Sequence, residues 1–519
     1  MRTFNLSLRE KVLQTVVLRH KKDRVVTEQV GAVFFGGEII TETEDVALET
    51  ARTTLAKYID NSTIPPLITS DFENGCGSMV SCLTPLPYMC SLGAANDEQL
   101  AYEYGKATAL EARSIGANWS FSPVCDLLTN PRNPLVNVRS MTDDPELACR
   151  LLKQVIRGMQ DNGLAACAKH FPGDGVDYRD QHIVTTNNSL PMEDWRKLHG
   201  RVFKELIDDG VMSIMPGHIT LSNYQKELHP NGYPLPATLS KELIQDLLKG
   251  ELGFKGVVVT DALGMGGFLG WYESKEASEI ESFKAGCDMM LWPTEGYVDN
   301  LVAAVESGYV PMERLDDAVE RILTLKEKLG LFSKDNHAIE LTEEEHHFVD
   351  DVQQRTAEQS ITLIRDKNGQ FPLSPEKTKK ITVVPVTHYE PALKEAELLC
   401  RELESRGFEV TYKPDGVTND EVKECDKLIY ALFSRSFRPI GFLDFHSKEA
   451  KKLWAYSTSG VGKTVVVSFG SPHFGEQYFQ RANTYVNAYS MLAPSVKAFV
   501  RAATGEIPFS DFSPFNLNW

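Results

Sequence analysis

None of the nine cysteines, Cys76, Cys82, Cys90, Cys125, Cys149, Cys167, Cys287, Cys400 and Cys425, stands in a C-x-x-C pair. An odd, dispersed set in a long chain reads as free thiols in a reducing compartment. A zinc site would need further ligands at metal spacing, and none of the nine has one. Long basic runs are missing as well, and 72 acidic against 54 basic residues leave a net charge of -18. This argues against nucleic acid or an anionic membrane as the main partner. Nor is there a long hydrophobic run at the start. Met1 to Arg24 interleaves Arg2, Arg9, Lys11 and Arg19 with short apolar stretches, which excludes a signal-peptide core and a bilayer-spanning segment there. The expected location is cytoplasmic. What the chain does have is 519 residues with 42% hydrophobic content, enough for large cores and roughly two to four domains.

Short apolar runs recur at Val30-Phe35, Pro66-Ser70, Asn118-Phe121, Leu164-Ala168, Val211-Met215, Val257-Thr260 and Met289-Trp292. Each is followed by Gly, Pro or charged residues. Amphipathic stretches with helical spacing lie between them, at Glu98-Ile115, Glu146-Met159, Glu193-Ile207 and Met312-Leu329. Repeated strand-helix units predict a parallel sheet, here a (β/α)8-type TIM barrel over residues 1–335. Seven strands are evident and an eighth is not, so the barrel is incomplete or distorted on this reading. Residues 336–357 are polar and read as a linker. From 358 to 519, strands at Ile381-Val386, Glu409-Tyr412, Lys427-Phe433, Thr464-Phe469 and Thr484-Tyr489 alternate with helices near Ala392-Arg406 and Pro494-Ala503. That order predicts a second, smaller α/β domain. Within it, Gly460-Val-Gly-Lys-Thr464 imitates the end of a phosphate-binding loop. It has Ser457 where Gly is required, and it leads into a strand where a helix should start.

The chemistry concentrates at two places. Residues 169 to 182, Lys-His-Phe-Pro-Gly-Asp-Gly-Val-Asp-Tyr-Arg-Asp-Gln-His, follow the run Leu164 to Ala168. Some eighty residues later comes Val-Val-Val-Thr-Asp-Ala-Leu-Gly-Met, ending in Met265. Charged residues at strand ends and in the loops after them are the layout of a barrel's C-terminal rim. Asp261, at the end of an apolar strand, suits an anionic nucleophile with cationic groups close by. A helix N-cap for Ala-Leu-Gly-Met is an equally good reading of its position. Asp180 and His182 are close enough for the carboxylate to orient the imidazole, which could then give and take a proton, although an Asp-x-His on a loop is more often ordinary surface. Asp71, Arg139, Lys169 and His170 sit at further strand ends, where each alone could be a structural ion pair.

These segments resemble glycoside hydrolase family 3, in its NagZ-like β-N-acetylglucosaminidase branch. The resemblance rests on Lys169-His-Phe-Pro-Gly, on the Asp180/His182 dyad and on Val-Val-Thr-Asp-Ala-Leu-Gly-Met. It implies a TIM barrel followed by an α/β sandwich domain, including the junction Glu358-Gln-Ser-Ile-Thr-Leu-Ile-Arg followed by Phe371-Pro-Leu. It also implies Asp261 as nucleophile, His182 on a mobile loop as acid/base, and Asp180 as the partner of His182. Asp71, in Ser70-Asp-Phe-Glu-Asn-Gly, would hold distal hydroxyls, while Arg139, Lys169 and His170 would surround the bound sugar. His218, in Met215-Pro-Gly-His, fits either a substrate or a structural role. Ala262 after the nucleophile, where the β-glucosidase branch has Trp, favours the aminosugar branch. Two departures imply altered subsite contacts: Asp174 stands where His is usual, and Gly75-Cys-Gly-Ser-Met carries no cation.

The expected activity is an exo-acting retaining β-N-acetylhexosaminidase working through a covalent glycosyl intermediate, with the site completed by Asp174 and Met265. Its partner is a β-N-acetylglucosaminide, and no metal or organic cofactor is needed. A β-glucosidase or β-xylosidase of the same fold, a β-N-acetylglucosaminide phosphorylase and a non-catalytic sugar-binding protein are the alternatives. The phosphorylase reading has a physical basis, because a neutral histidine base does not repel an anionic acceptor.

Overall fold

The computed structural model describes residues 5–21, 29–36, 47–333, 337–434 and 445–517. Eight parallel strands form the ring of its first part: β1 Val16–Arg19, β2 Ala32–Phe34, β3 Leu67–Ser70, β4 Trp119–Ser120, β5 Cys167–Phe171, β6 Ser213–Pro216, β7 Val257–Val258 and β8 Met290–Leu291. They form two arcs, β8-β1-β2-β3-β4 and β5-β6-β7. Single parallel bridges join the arcs, Trp119 with Ala165 and Val259 with Met289. The ring is therefore a distorted TIM barrel. Its strands are short apolar runs buried on both faces, as parallel strands covered by helices must be.

The eighth strand is β1, which the sequence pattern hides. It begins two residues after the helix Leu8–Gln14, which is fixed by a Ser7/Glu10 capping box, so only Thr15 separates the two elements. No run of turn residues announces it. β5 differs from expectation in the opposite direction. The apolar run at 164–168 stops short of the strand, which continues through Lys169 and His170 to Phe171.

The helices cover the ring with their apolar stripes. In Pro145–Asp161, Asp144 caps the first turn and Pro145 occupies a position whose N–H would be unpaired anyway. Leu147, Leu151, Leu152, Val155 and Ile156 then face inward. The stretch expected as one helix at Glu193-Ile207 is two, Met192–Lys197 and His199–Asp208. Residues Glu343–Ser360 form an 18-residue helix with a Thr342/Glu345 capping box, and its Val349 and Val352 belong to the barrel core.

The second sheet has six strands: β9 Thr362–Asp366, β10 Lys380–Val386, β11 Glu409–Tyr412, β12 Lys427–Phe433, β13 Thr464–Phe469 and β14 Thr484–Asn487. Their spatial order is β9-β14-β13-β12-β10-β11, and β9 alone runs antiparallel, against β14. Alternate residues feed two cores. Val383, Ile429, Val467 and Val486 face one side, and Val384, Tyr430, Val466 and Tyr485 the other. Lys463, in the imitation phosphate loop, donates to the carbonyls of Val422 and Cys425 at 2.7 and 2.5 Å.

The two parts share an interface core of Tyr88, Cys90, Leu128, Val136, Val138, Tyr489 and Phe515. Asn137 Nδ2 donates to Ser471 Oγ at 3.2 Å. Arg139 lies two residues on, so the second part buttresses the segment that carries it.

Candidate active site

The C-terminal ends of five strands bring charged side chains together at one rim. Immediately after β3 come Asp71 and Glu73, and after β4 comes Asp126. β5 carries Lys169 and His170. Its pairing with β6 shifts register between Lys169 and Phe171, the mark of a bulge, and both neighbouring side chains serve the same rim. β6 leads to His218 and β7 to Asp261.

One wall is an ion network. The Arg139 fork grips Glu73, Nε to Oε2 and Nη2 to Oε1, both at 2.8 Å. Lys169 Nζ lies 2.7 Å from Glu73 Oε1 and 2.8 Å from Asp71 Oδ1. Burial opposes the charge on Glu73, yet Arg139 and Lys169 hold its carboxyl well below the usual carboxylate range. Lys169 has three N–H groups, and two point at these carboxylates. Asp71 remains a quarter exposed and can still reach a ligand.

Behind Asp261 stands a histidine held by a carboxylate. His170 Nδ1 donates to Asp126 Oδ2 at 2.7 Å, an assignment that follows because a carboxylate only accepts. Its Nε2 then faces Asp261 Oδ2 at 3.9 Å. Asp126 Oδ1 also accepts the backbone N–H groups of His170 and Asp174, at 3.1 and 2.7 Å. Burial would raise the Asp261 pKa, but His170, His218, Lys169 and His182 outweigh it and shift the group downward, favouring the carboxylate.

His218 is fully buried, and its Nε2 donates to the carbonyl of Ala262 at 3.1 Å while Nδ1 faces the Thr238 hydroxyl at 3.0 Å. Burial lowers its pKa, and the ring holds the backbone beside Asp261. Met265 is buried one turn on, its N–H bonded to the Ala262 carbonyl at 3.1 Å.

Asp180 and His182 form a second wall, on the loop that follows β5. Asp180 Oδ1 accepts from His182 Nδ1 at 2.8 Å and from the His182 backbone N–H at 2.9 Å. The Asp180 side chain is fully buried, and the His182 ring is 26% exposed. Asp174 sits elsewhere, behind His170. Its Oδ1 accepts from Asn133 Nδ2 at 2.9 Å and from the Gly175 N–H at 2.7 Å, and its Oδ2 is buried with no hydrogen-bond partner. Burial, reinforced by the negative Asp126, raises its pKa to about 7.

Glu73 and Asp126 were not singled out from the sequence. Glu73 lies two residues after Asp71, a spacing that would have flagged it. Asp126 is separated from its strand by Phe121-Ser-Pro-Val-Cys, and only its bond to His170 reveals it.

The geometry can be set against known proteins. The glycosyl hydrolase family 3 N-terminal domain profile matches residues 7–325. A β-N-acetylglucosaminidase/β-glucosidase of Cellulomonas fimi is 30% identical over 495 residues, covering 89% of this chain and 86% of its own. A family 3 β-N-acetylglucosaminidase from Paenibacillus sp. str. FPU-7 superposes with a TM-score of 0.83 at 28% identity, covering 99% of both chains. The β-glucoside phosphorylase BglX superposes with a TM-score of 0.87 at 30% identity, over 99% of this chain and 94% of its own. With the profile spanning the whole barrel and relatives aligned along nearly the full length, the chain belongs to glycosyl hydrolase family 3.

Proposed function

We propose that this glycoside hydrolase is a retaining exo-β-N-acetylhexosaminidase that releases terminal β-linked N-acetylglucosamine. The observation that carries the reading is the placement of an ionised Asp261 beside His170, with the Asp180–His182 dyad on a neighbouring loop. Retaining glycosidases need a nucleophile below the anomeric carbon and a proton donor at the leaving oxygen, usually two carboxyls about 5 Å apart. Here the imidazole of His182 replaces the second carboxyl.

In the first step an Asp261 oxygen attacks the anomeric carbon while protonated His182 gives its Nε2 proton to the leaving oxygen. The glycosidic bond breaks and a glycosyl-Asp261 ester forms. Asp180 accepts the Nδ1 proton's hydrogen bond throughout, which fixes the ring and supports the imidazolium. In the second step neutral His182 takes a proton from water, whose oxygen displaces Asp261 and restores the original anomeric configuration. Lys169, Asp71 and His170 face the sugar, whereas Glu73 holds Arg139 and Lys169 in place. Asp174, His218 and Met265 support the loops behind them. The division into a catalytic barrel (1–335), a connector (336–357) and a second domain (358–519), and a cytoplasmic location, belong to the same reading. Among the described residues no helix is long and apolar enough to cross a membrane.

A second reading is favoured by the likeness to BglX, named as a β-glucoside phosphorylase. A neutral imidazole base leaves room for phosphate as acceptor, and a glucoside as donor is then open as well. One panel tests both readings: nitrophenyl β-N-acetylglucosaminide, β-N-acetylgalactosaminide, β-glucoside and β-xyloside, each with and without phosphate. The proposal expects the N-acetylglucosaminide to be preferred and free sugar released. A glucoside preference overturns the substrate, and sugar 1-phosphate overturns the acceptor.

A further inference from the structure

The hydrogen bonds of the dyad run between residues two apart. They set the His182 ring within its loop, but they cannot set the loop relative to Asp261. That second distance decides whether a proton donor and a nucleophile act on one bond. The bonds that fix it run to a pair of glycines downstream of Asp261. Gly266 N donates to the His182 carbonyl at 2.8 Å, and Gly267 N donates to the Gln181 carbonyl at 3.2 Å. The Thr185 hydroxyl donates to the Gly267 carbonyl at 2.7 Å and accepts from Trp271 Nε1 at 3.0 Å. From the other side, Gln181 Oε1 accepts the His218 N–H at 2.8 Å.

The approach is too close for any other residue. A Cβ on Gly266 would lie 2.2 Å from the Ile183 carbonyl oxygen, and one on Gly267 would lie 2.7 Å from the Gln181 carbonyl oxygen and 2.8 Å from His218 Cβ. Neither glycine has a positive φ, so what each position requires is space, not a special backbone conformation. Apart from His218 Cβ, the obstructing atoms are backbone atoms of the segment that carries the dyad.

We propose that Gly266, Gly267, Thr185 and Trp271 form a clasp that places His182 opposite Asp261. The glycines are positioning residues, and the short segment from Asp261 to Gly267 acts as a spacer between nucleophile and acid/base. The inference rests on the assignment of His182 as the proton donor, and its test separates the two.

A misplacement of about 1 Å can cost about 10²-fold, and a displaced acid matters only when the leaving group needs a proton. The measurement is therefore kcat/KM for aryl glycosides of the sugar that the panel selects, comparing 4-methoxyphenyl with 2,4-dinitrophenol as leaving group, together with a thermal melt. Gly267→Ala is expected to lose about 10²-fold on the methoxyphenyl glycoside and under tenfold on the dinitrophenyl one. Trp271→Phe, which removes the indole N–H, and Thr185→Val, which removes the hydroxyl, shift the same ratio by about three- to tenfold. His182→Ala is the reference for complete loss of the acid. If His182→Ala shows no leaving-group dependence, the assignment of the acid fails. If it does while Gly267→Ala loses both substrates equally or neither, the clasp is overturned. Should Gly267→Ala not fold, Thr185→Val decides: an unchanged ratio overturns the proposal and a shifted one supports it.

Discussion

The two walls of the pocket are built on opposite plans. On one side, Asp71, Glu73, Arg139 and Lys169 put two negative and two positive groups into a nearly dry network, with the Lys169 and Glu73 side chains only 3% and 4% exposed. Most of their hydrogen-bonding capacity is used within the protein, so the wall is as much part of the fold as of the site. On the other side, Asp180 and His182 form a pair on a loop, with the His182 ring 26% exposed and the Asp180 side chain buried. A buried ion pair that loses one partner leaves an unpaired charge behind. Removing the partly exposed His182 ring leaves Asp180 with the backbone N–H of residue 182 as a donor. Damage to the first wall should register mainly in stability, and damage to the second mainly in rate.

The largest effect should come from the residue between the walls. Asp261→Asn replaces the proposed nucleophile with a nearly isosteric amide and is expected to lower kcat by roughly 10⁴-fold or more, with the fold intact by circular dichroism. Parental turnover in that variant would remove the basis for comparing the walls at all.

The walls themselves are separated by measuring rate and stability on the same two variants. His182→Ala is expected to lose roughly 10²- to 10⁴-fold in kcat/KM on substrates with poor leaving groups, while it loses less stability than the Glu73 variant, because Asp180 keeps the backbone N–H of residue 182 as a donor. Glu73→Gln removes the negative charge shared by Arg139 and Lys169 while keeping one acceptor oxygen, and is expected to cost about 3–5 kcal/mol in denaturant unfolding, with a raised KM. If both variants lose stability equally, the contrast between the walls is wrong.

The sequence made the residues at the strand ends easier to read than the partners that set their charge. Lys169, His170, Asp261, Asp180 and His182 all lie at the ends of apolar runs or in a Gly-rich segment just beyond one, so their positions could be inferred from the parallel-barrel plan. The partners that set their charge could not. Glu73 is tied to Arg139 across 66 positions and Asp126 to His170 across 44, and such pairings exist only once the barrel brings strand ends together. The same holds for β1, a four-residue strand masked by the helix before it, and for β9, whose antiparallel place beside β14 no local pattern announces. Asp174 shows the limit most clearly. Its sequence position suggests another pocket carboxylate, yet the loop folds its side chain back toward Asn133.

That burial of Asp174 carries the smallest and most specific prediction. With its pKa raised from 3.8 to about 7, the native state favours the protonated carboxyl. The resulting stabilisation is complete below pH 4, declines as the pH rises through 7, and is gone above it. Three pKa units correspond to roughly 4 kcal/mol at most, and relaxation of the loop will reduce that. Asp174→Asn keeps an oxygen for Asn133 and Gly175 and is neutral at every pH. Denaturant unfolding of parent and variant from pH 4 to pH 8 should therefore diverge, the variant gaining relative stability between pH 4 and pH 7 and holding that gain above it. Because the Asp174 N–H bonds Asp126, which holds His170, the same loss of charge should leave the His182 wall unaffected, so the leaving-group dependence of kcat/KM should match the parent. Parallel stability curves would mean that the proton resides elsewhere, and a changed leaving-group dependence would mean that the two walls are coupled through the loop between them.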